Sequence, residues 1–351
     1  MSDQKIKIAI SQGDVNGIGW EVILKTFSDP TLFEYCIPAV FSNMKTANFH
    51  RKALGNEEYP LFSVKPGEAL QQRKINIVTI FEEELPLQPG KADPALGKYA
   101  VSSLHAATEA VLSGYCDVLL TAPLNKNIVH SDDFPFKGHT SYLEQKSGTG
   151  TSLMLLCSSE MRVGLVTEHV AISQVAFRIT TEGIMAKLKV FQQALKRDFG
   201  LTKPRIAVLG LNPHAGDGGT IGSEEQTLII PAIQQMEKEN LLIKGPYAAD
   251  GFFGSGAWRS FDGILAMYHD QGLGPFKALS FSEGVNYTAG LPFVRTSPDH
   301  GTGFDIAGKN LANPASFRNA LYFALDVFRK RKEFDQLTAN PLASQPLKRE
   351  R

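Results

Sequence analysis

The stretch Gly263-Ile-Leu-Ala-Met-Tyr-His-Asp-Gln-Gly272 decides the fold: a short uncharged run ends abruptly in a histidine and an aspartate. Two further runs end the same way. Val163-Gly-Leu-Val-Thr-Glu leads to His169, and Ile206-Ala-Val-Leu-Gly-Leu-Asn-Pro leads to His214. Aliphatic runs at Ile6 to Ile10, Ile37 to Phe41, Ile75 to Ile80 and Val118 to Thr121 complete a set of expected strands with Arg162 to Thr167, Arg205 to Leu211 and Gly263 to Tyr268. Between them, Ala100 to Leu112, Glu182 to Phe199 and Glu224 to Asn240 carry apolar residues at helical spacing. Asn313 caps a last expected helix that has Pro314 in its first turn. Such alternation predicts an α/β protein on mainly parallel strands.

Composition narrows the function. The 351 residues suffice for about two domains at roughly 150 residues each. With 36 Lys plus Arg against 36 Asp plus Glu, there is no cationic field for nucleic acid or a membrane surface, so any anionic ligand is small and locally held. Cys36, Cys116 and Cys157 are odd in number and far apart, which excludes a disulfide framework and a thiolate zinc site. The start has no signal-peptide pattern, and the longest apolar run, Ala320 to Leu325, is far too short to span a bilayer. A soluble, cytoplasmic protein is expected. Glu82 to Gly97 reads as a surface loop, His130 to Gly138 as a domain boundary, and the chain from about Ala339 as a frayed tail.

In open α/β sheets ligands bind beyond the carboxyl ends of strands, where His169, His214 and His269 all fall. Singly, each reads as an ordinary loop residue. Three in matched positions, beside Glu168, Asn212 and Asp270, read as a three-nitrogen site with open coordination positions, suited to zinc or cobalt. His139 and Thr140 open a helix, where free amides favour an anion, although a helix cap is the plainer reading of His139. Lys277, Asn286 and Arg295 supply positive and polar groups that a phosphate monoester needs; a solvated surface is their alternative. Gly13-Asp-Val-Asn-Gly17-Ile-Gly19 is either a phosphate-binding turn or a tight turn requiring glycine backbone.

Asn212-Pro-His-Ala-Gly216, Met267-Tyr-His-Asp-Gln-Gly272 and the run from Val285 to Thr302 closely resemble the 4-hydroxythreonine-4-phosphate dehydrogenase family, from the first glycine loop to about Asn313. The ends of the chain also resemble isocitrate and isopropylmalate dehydrogenases. The resemblance implies a two-domain α/β fold with a cleft: residues 1–135 with 300–351 bearing the cofactor loop, and 136–299 bearing the metal site and dimer interface. It implies that His169, His214 and His269 bind a divalent metal, zinc favoured over cobalt or magnesium. It further implies that His139, Thr140, Lys277, Asn286 and Arg295 bind a phosphorylated substrate, and that a homodimer shares ligands between subunits. His300, Gly301, Thr302, Asp305 and Asn313 would bind the cofactor, with the Asp305 carboxylate favouring NAD over NADP.

The reaction so implied oxidises 4-phosphohydroxy-L-threonine to 2-amino-3-oxo-4-phosphooxybutanoate, which decarboxylates to 3-amino-2-oxopropyl phosphate for pyridoxal 5'-phosphate synthesis. Two alternatives stand beside it: a dehydrogenase of threonate or erythronate 4-phosphate, and a phosphate acyltransferase of the same fold. Asp250 and Asp270 are candidates for proton transfer or outer support of the metal, or plain loop carboxylates. Val15 and Trp20 stand where the family usually has prolines, and Asp217 and Thr220 replace a Glu and a His.

Overall fold

The computed structural model describes residues 5–55, 59–130, 134–136, 138–280 and 283–341. All seven expected strands form: β1 (Ile6–Ser11), β2 (Cys36–Ser42), β4 (Ile75–Thr79), β5 (Val118–Thr121), β7 (Arg162–Leu165), β8 (Arg205–Leu209) and β10 (Gly263–Ala266). Five more join them: β3 (Leu61–Val64), β6 (Leu153–Cys157), β9 (Leu242–Tyr247), β11 (Val285–Ala289) and β12 (Val294–Pro298). Together they make one twelve-stranded sheet in the order β3-β4-β2-β1-β5-β12-β11-β6-β7-β10-β8-β9. It is parallel except in the middle, where β12 with β11, β11 with β6, and β6 with β7 run antiparallel. Three reversals in succession turn one parallel block against the other, and the strands between them form the floor of a cleft.

Period-two alternation divides that floor. On one face stand Arg295 and Ser297, Asn286, and Met154 and Leu156, with Asn286 opposite both Ser297 and Leu156. On the other, Leu155, Cys157, Val285 and Tyr287 enter the main apolar core. There Thr296 Oγ1 donates to Ala320 O at 2.9 Å, fastening β12 to the helix Ala315–Thr338. This helix carries Phe317, Ala320, Leu321, Ala324 and Leu325 on its buried side, the spacing that an amphipathic helix requires.

A buried charged triad locks the same region. Tyr287 Oη donates to Asp198 Oδ2 at 2.6 Å, Arg331 Nε donates to Asp198 Oδ1 at 2.8 Å, and Arg331 Nη2 reaches Tyr287 Oη at 3.0 Å. The ends of the helices Thr181–Arg197 and Ala315–Thr338 are thereby pinned to β11. Burial and the Asp198 carboxylate push the Tyr287 phenol well above its ordinary value, so it serves as a donor throughout the neutral range.

Several local expectations are corrected. The helix expected from Ala100 begins at Pro94, because Asp93 Oδ1 accepts from Ala95 N at 3.0 Å and proline suits the first turn. The segment 82–97 is thus a loop only as far as Asp93. The expected Glu224–Asn240 helix starts with a π turn, Glu225–Ile229, before regular helix at Ile230–Lys238. In the first glycine loop several backbone donors are committed to the protein: Asp14 N to Pro123 O, Gly17 N to Asp14 O and Ile18 N to Thr302 O. It is a tight packing turn, and a Cβ on Gly17 would lie 2.8 Å from Thr302 O. Trp20, one of the departures from the family pattern, is fully buried, stacks on His50 and donates to Gln12 Oε1 at 3.1 Å.

Asn313 Oδ1 accepts from Ala315 N at 2.9 Å, but the cap position falls to Pro314, which has no side-chain acceptor, so the last helix begins one residue later than expected. Residues 131–133 and 137 of the expected boundary, and 342–351 of the expected tail, lie outside the described residues. Among the described residues no helix is long and apolar enough to cross a membrane.

Arg331→Met strands the Asp198 carboxylate in the core, and the expected loss is about 3–5 kcal/mol in urea unfolding. Asp198→Asn combined with Arg331→Met should recover part of it. A single-mutant loss below about 1 kcal/mol would mean that the triad behaves as a surface pair.

Candidate active site

A cleft of about 540 Å³ lies over β12, β11 and β6 and is walled by the segment after β5 and by the ends of β7 and β10. Its deepest cation is Arg295, only 2% exposed. Arg295 Nη2 donates to Thr121 Oγ1 at 2.7 Å, while Nη1 donates to Thr288 Oγ1 at 3.1 Å and Asn286 Oδ1 at 3.2 Å. Arg295 Nε is enclosed and has no partner among the described residues. Burial draws this guanidinium down to about 9, with Glu168 acting in the opposite sense, so it remains charged at neutrality.

Facing Arg295 is the amino end of the helix His139–Ser147, whose cap residue Gly138 offers no side-chain acceptor. His139 Nε2 is likewise enclosed and unpartnered among the described residues. Burial, then the charges of Arg295 and Lys126, hold His139 well below its usual value, which makes it a neutral imidazole. Lys277 stands on the helix His269–Ser280, its Nζ 3.2 Å from Asp299 Oδ2. Enclosed nitrogens without partners, one of them the Arg295 Nε donor, beside a helix amino end and two cations, form a receptor for a small anion.

At the other end of the cleft, the His169 and His269 rings lie with centroids 5.8 Å apart. Asp270 Oδ1 is 2.7 Å from His269 Nδ1, an arrangement that makes Nδ1 the donor and leaves the Nε2 lone pair free. Lys126 Nζ donates to His169 Nε2 at 3.0 Å. Burial lowers the Lys126 ammonium, and the Glu168 carboxylate partly restores it. Glu168 is itself raised by burial, against the charges of Lys187, Lys126 and His269.

His214 is elsewhere. It follows β8 as expected, but is exposed and begins a left-handed turn in which residues 214–218 all have positive φ. Three of these are not glycine, and each such residue costs roughly 1–2 kcal/mol. Glu225 offsets the strain: Oε1 accepts from Leu211 N and Asn212 N, both at 2.7 Å, and Oε2 accepts from Asn212 Nδ2 at 2.9 Å. Among the described residues, no group of three His, Cys, Asp or Glu is placed to hold a metal within one chain.

The cleft therefore gathers His139, Thr140, His169, His269, Lys277, Asn286, Arg295, His300 and Gly301 from the residues singled out in the sequence. Thr302, Asp305 and Asn313 continue along the loop beyond Gly301 without lining it, and Asn313 Oδ1 already accepts from Ala315 N. Asp250, in the first turn of the helix Ala249–Gly254, is exposed and away from the cleft, and Asp270 is exposed at its edge. Sequence reasoning passed over Thr121, Lys126 and Asp299. The first two directly end or follow the strand Val118–Thr121, so the strand-end rule that found the histidines would have found them as well.

The family described as "Pyridoxal phosphate biosynthetic protein PdxA" matches residues 34–324. A 4-hydroxythreonine-4-phosphate dehydrogenase of Bacteroides thetaiotaomicron is 51% identical over 346 residues, covering 98% of this chain and 95% of that one. One from a Sulfurihydrogenibium species is 38% identical over 327 residues, 93% of this chain and all (100%) of the relative. The crystal structure of a 4-hydroxythreonine-4-phosphate dehydrogenase from Klebsiella pneumoniae superposes with a TM-score of 0.79 at 32% identity, covering 93% of this chain and 98% of that one.

Arg295→Lys retains a positive charge but loses the guanidinium fork. Inorganic phosphate, titrated by calorimetry, should bind about 10- to 100-fold more weakly to this variant, the worth of one or two charge-assisted hydrogen bonds. Unchanged affinity would put the anion site elsewhere.

Proposed function

This chain belongs to the PdxA family of pyridoxal phosphate biosynthetic proteins, and on that premise we propose that it oxidises 4-phosphohydroxy-L-threonine with NAD. The product is 2-amino-3-oxo-4-phosphooxybutanoate, a β-keto acid that loses carbon dioxide to give 3-amino-2-oxopropyl phosphate. One observation carries the reading: an anion receptor with unpartnered enclosed nitrogens adjoins a pair of imidazoles in a single cleft. The two ends are neighbours, since Lys126, which donates to His169, has its Cε 3.5 Å from where a Cβ on Gly138 would stand.

Arg295, Lys277, Asn286, His139 and Thr140 grip the phosphate, which carries about −1.5 to −2 charges near neutrality. Held there, the substrate has its secondary alcohol directed toward His169 and His269, and this orientation supplies much of the advantage over solution. His169 and His269 would hold a divalent metal, zinc in preference to cobalt or magnesium, with His214 completing the set at an interface between two copies. The strained, exposed presentation of His214 supports that reading. So does the apolar surface beside His169, where Ile172 is 72% and Phe177 80% exposed. Bound metal would acidify the substrate alcohol. Asp270 fixes the His269 tautomer, and Asp250, outside the cleft, has no such contact to offer.

The loop 300–313 would receive the cofactor. His300 Nε2 is enclosed without a partner, Gly301 has open space about it, and the exposed Asp305 carboxylate suits ribose hydroxyls while repelling the 2′-phosphate of NADP. Glu21 and Lys25 brace this loop, with Glu21 Oε1 accepting from Ala312 N at 2.7 Å and Lys25 Nζ donating to Ala312 O at 2.9 Å. A cytoplasmic homodimer acting on small metabolites fits this chemistry.

The test is NADH formation by the purified protein with 4-phosphohydroxy-L-threonine and 4-phosphothreonate side by side, before and after chelation. Activity is expected with the first, lost on chelation and restored by zinc or cobalt. A higher kcat/KM for 4-phosphothreonate would transfer the protein to sugar-acid oxidation, and no NADH with either would overturn the dehydrogenase reading. His214→Ala should abolish bound divalent ion by mass spectrometry; unchanged metal content would remove His214 from the ligand set.

A further inference from the structure

Among the described residues, two carboxylates, Asp299 and Glu168, line the cleft. Asp299 is neutralised by Lys277 at 3.2 Å. Glu168 is not: its Oε2 lies 4.0 Å from His169 Nδ1, and no lysine or arginine among the described residues reaches ion-pair distance. Of the two lysines whose charges act on Glu168, Lys187 directs its Nζ to Ser152 O at 2.6 Å and Lys126 directs its Nζ to His169 Nε2 at 3.0 Å. The Glu168 side chain is 19% exposed, which leaves it open to the cleft and little else. Its position is fixed from behind, since Thr167 N and Oγ1 both donate to Met267 O, at 3.1 Å and 2.8 Å.

A cleft built from Arg295, Lys277, Lys126 and a helix amino end is suited to anions, and an unpaired carboxylate within it opposes any ligand that is anionic throughout. It is compatible with a ligand that brings its own cation. We infer that Glu168 receives the 2-ammonium group of the substrate and sets the selectivity of this cleft for an amino-acid phosphate over the corresponding hydroxy-acid phosphate. This rests on the dehydrogenase reading above and deepens it. The placement agrees with the covalent order of the substrate: the ammonium carbon is one bond from the alcohol carbon, and Glu168 Oε2 lies 4.0 Å from His169 Nδ1. A hydroxyl in place of the ammonium could still donate to the carboxylate but would bring no positive charge to offset it.

Glu168→Gln retains size and removes charge. Both substrates are to be compared by calorimetric affinity and by kcat/KM, with metal content and inorganic phosphate affinity measured on the same preparations. The expected result is that the preference for 4-phosphohydroxy-L-threonine over 4-phosphothreonate falls by about tenfold or more, mostly in KM and Kd, while metal content and phosphate affinity persist. Glu168→Asp, which keeps the charge one methylene further back, should retain part of the preference. An unchanged preference in Glu168→Gln overturns the inference. Equal losses for both substrates accompanied by loss of metal overturn it too, and assign Glu168 to the imidazoles instead. If the unaltered protein binds neither substrate, the dehydrogenase reading itself has failed, and this inference falls with it.

Discussion

The burial of the Arg295 guanidinium is the constraint on which the rest of the molecule turns. A charge taken out of water needs hydrogen-bond partners around it, and here they come from the two neighbouring strands: Thr121 on β5, with Asn286 and Thr288 on β11. Those strands must therefore flank β12 in one register. The alternation that brings the polar groups beneath the cleft sends Tyr287 and Val285 to the opposite face, into the core. Ligand receptor and hydrophobic interior are two sides of the same three strands.

Elsewhere the chain places cost next to chemistry. The left-handed turn at His214 is unfavourable for side-chain-bearing residues, and it persists because the fully buried Glu225 takes up the amides of Leu211 and Asn212. The π turn that begins at Glu225 belongs to the same device, for it interrupts regular helix where this carboxylate must reach β8. Strain of this sort endures only where the surroundings over-determine it.

Much of this was legible in the sequence, and the gaps have physical causes. Strands buried on both faces, such as β1 and β5, read directly as aliphatic runs. β11 and β12 did not, because the face beneath the cleft carries Asn286, Thr288, Arg295 and Ser297 and breaks the apolar pattern. The edge strand β9 hides for another reason: Lys244, Gly245 and Pro246 are weak strand formers. The phosphate set and the histidines were found from strand ends and from resemblance. Asp299 was missed because its importance lies in a single pairing, to Lys277, which no spacing in the chain encodes. The first glycine loop looked like a ligand site because glycine serves close backbone packing and phosphate binding alike.

The two-sidedness of β11 has a consequence for how this segment tolerates changes in length. Asn286 and Thr288 look into the cleft, whereas Tyr287 looks toward Asp198 and Arg331. Adding or deleting a single residue between Gly284 and Gly290 would exchange the two sets, putting a phenol where the guanidinium needs an acceptor and an amide where the core needs a ring. Only paired insertions or deletions preserve the faces, and even these shift the partners by a full strand repeat. The length of this short strand is therefore held by the binding cleft and the core together, more tightly than either would hold it alone.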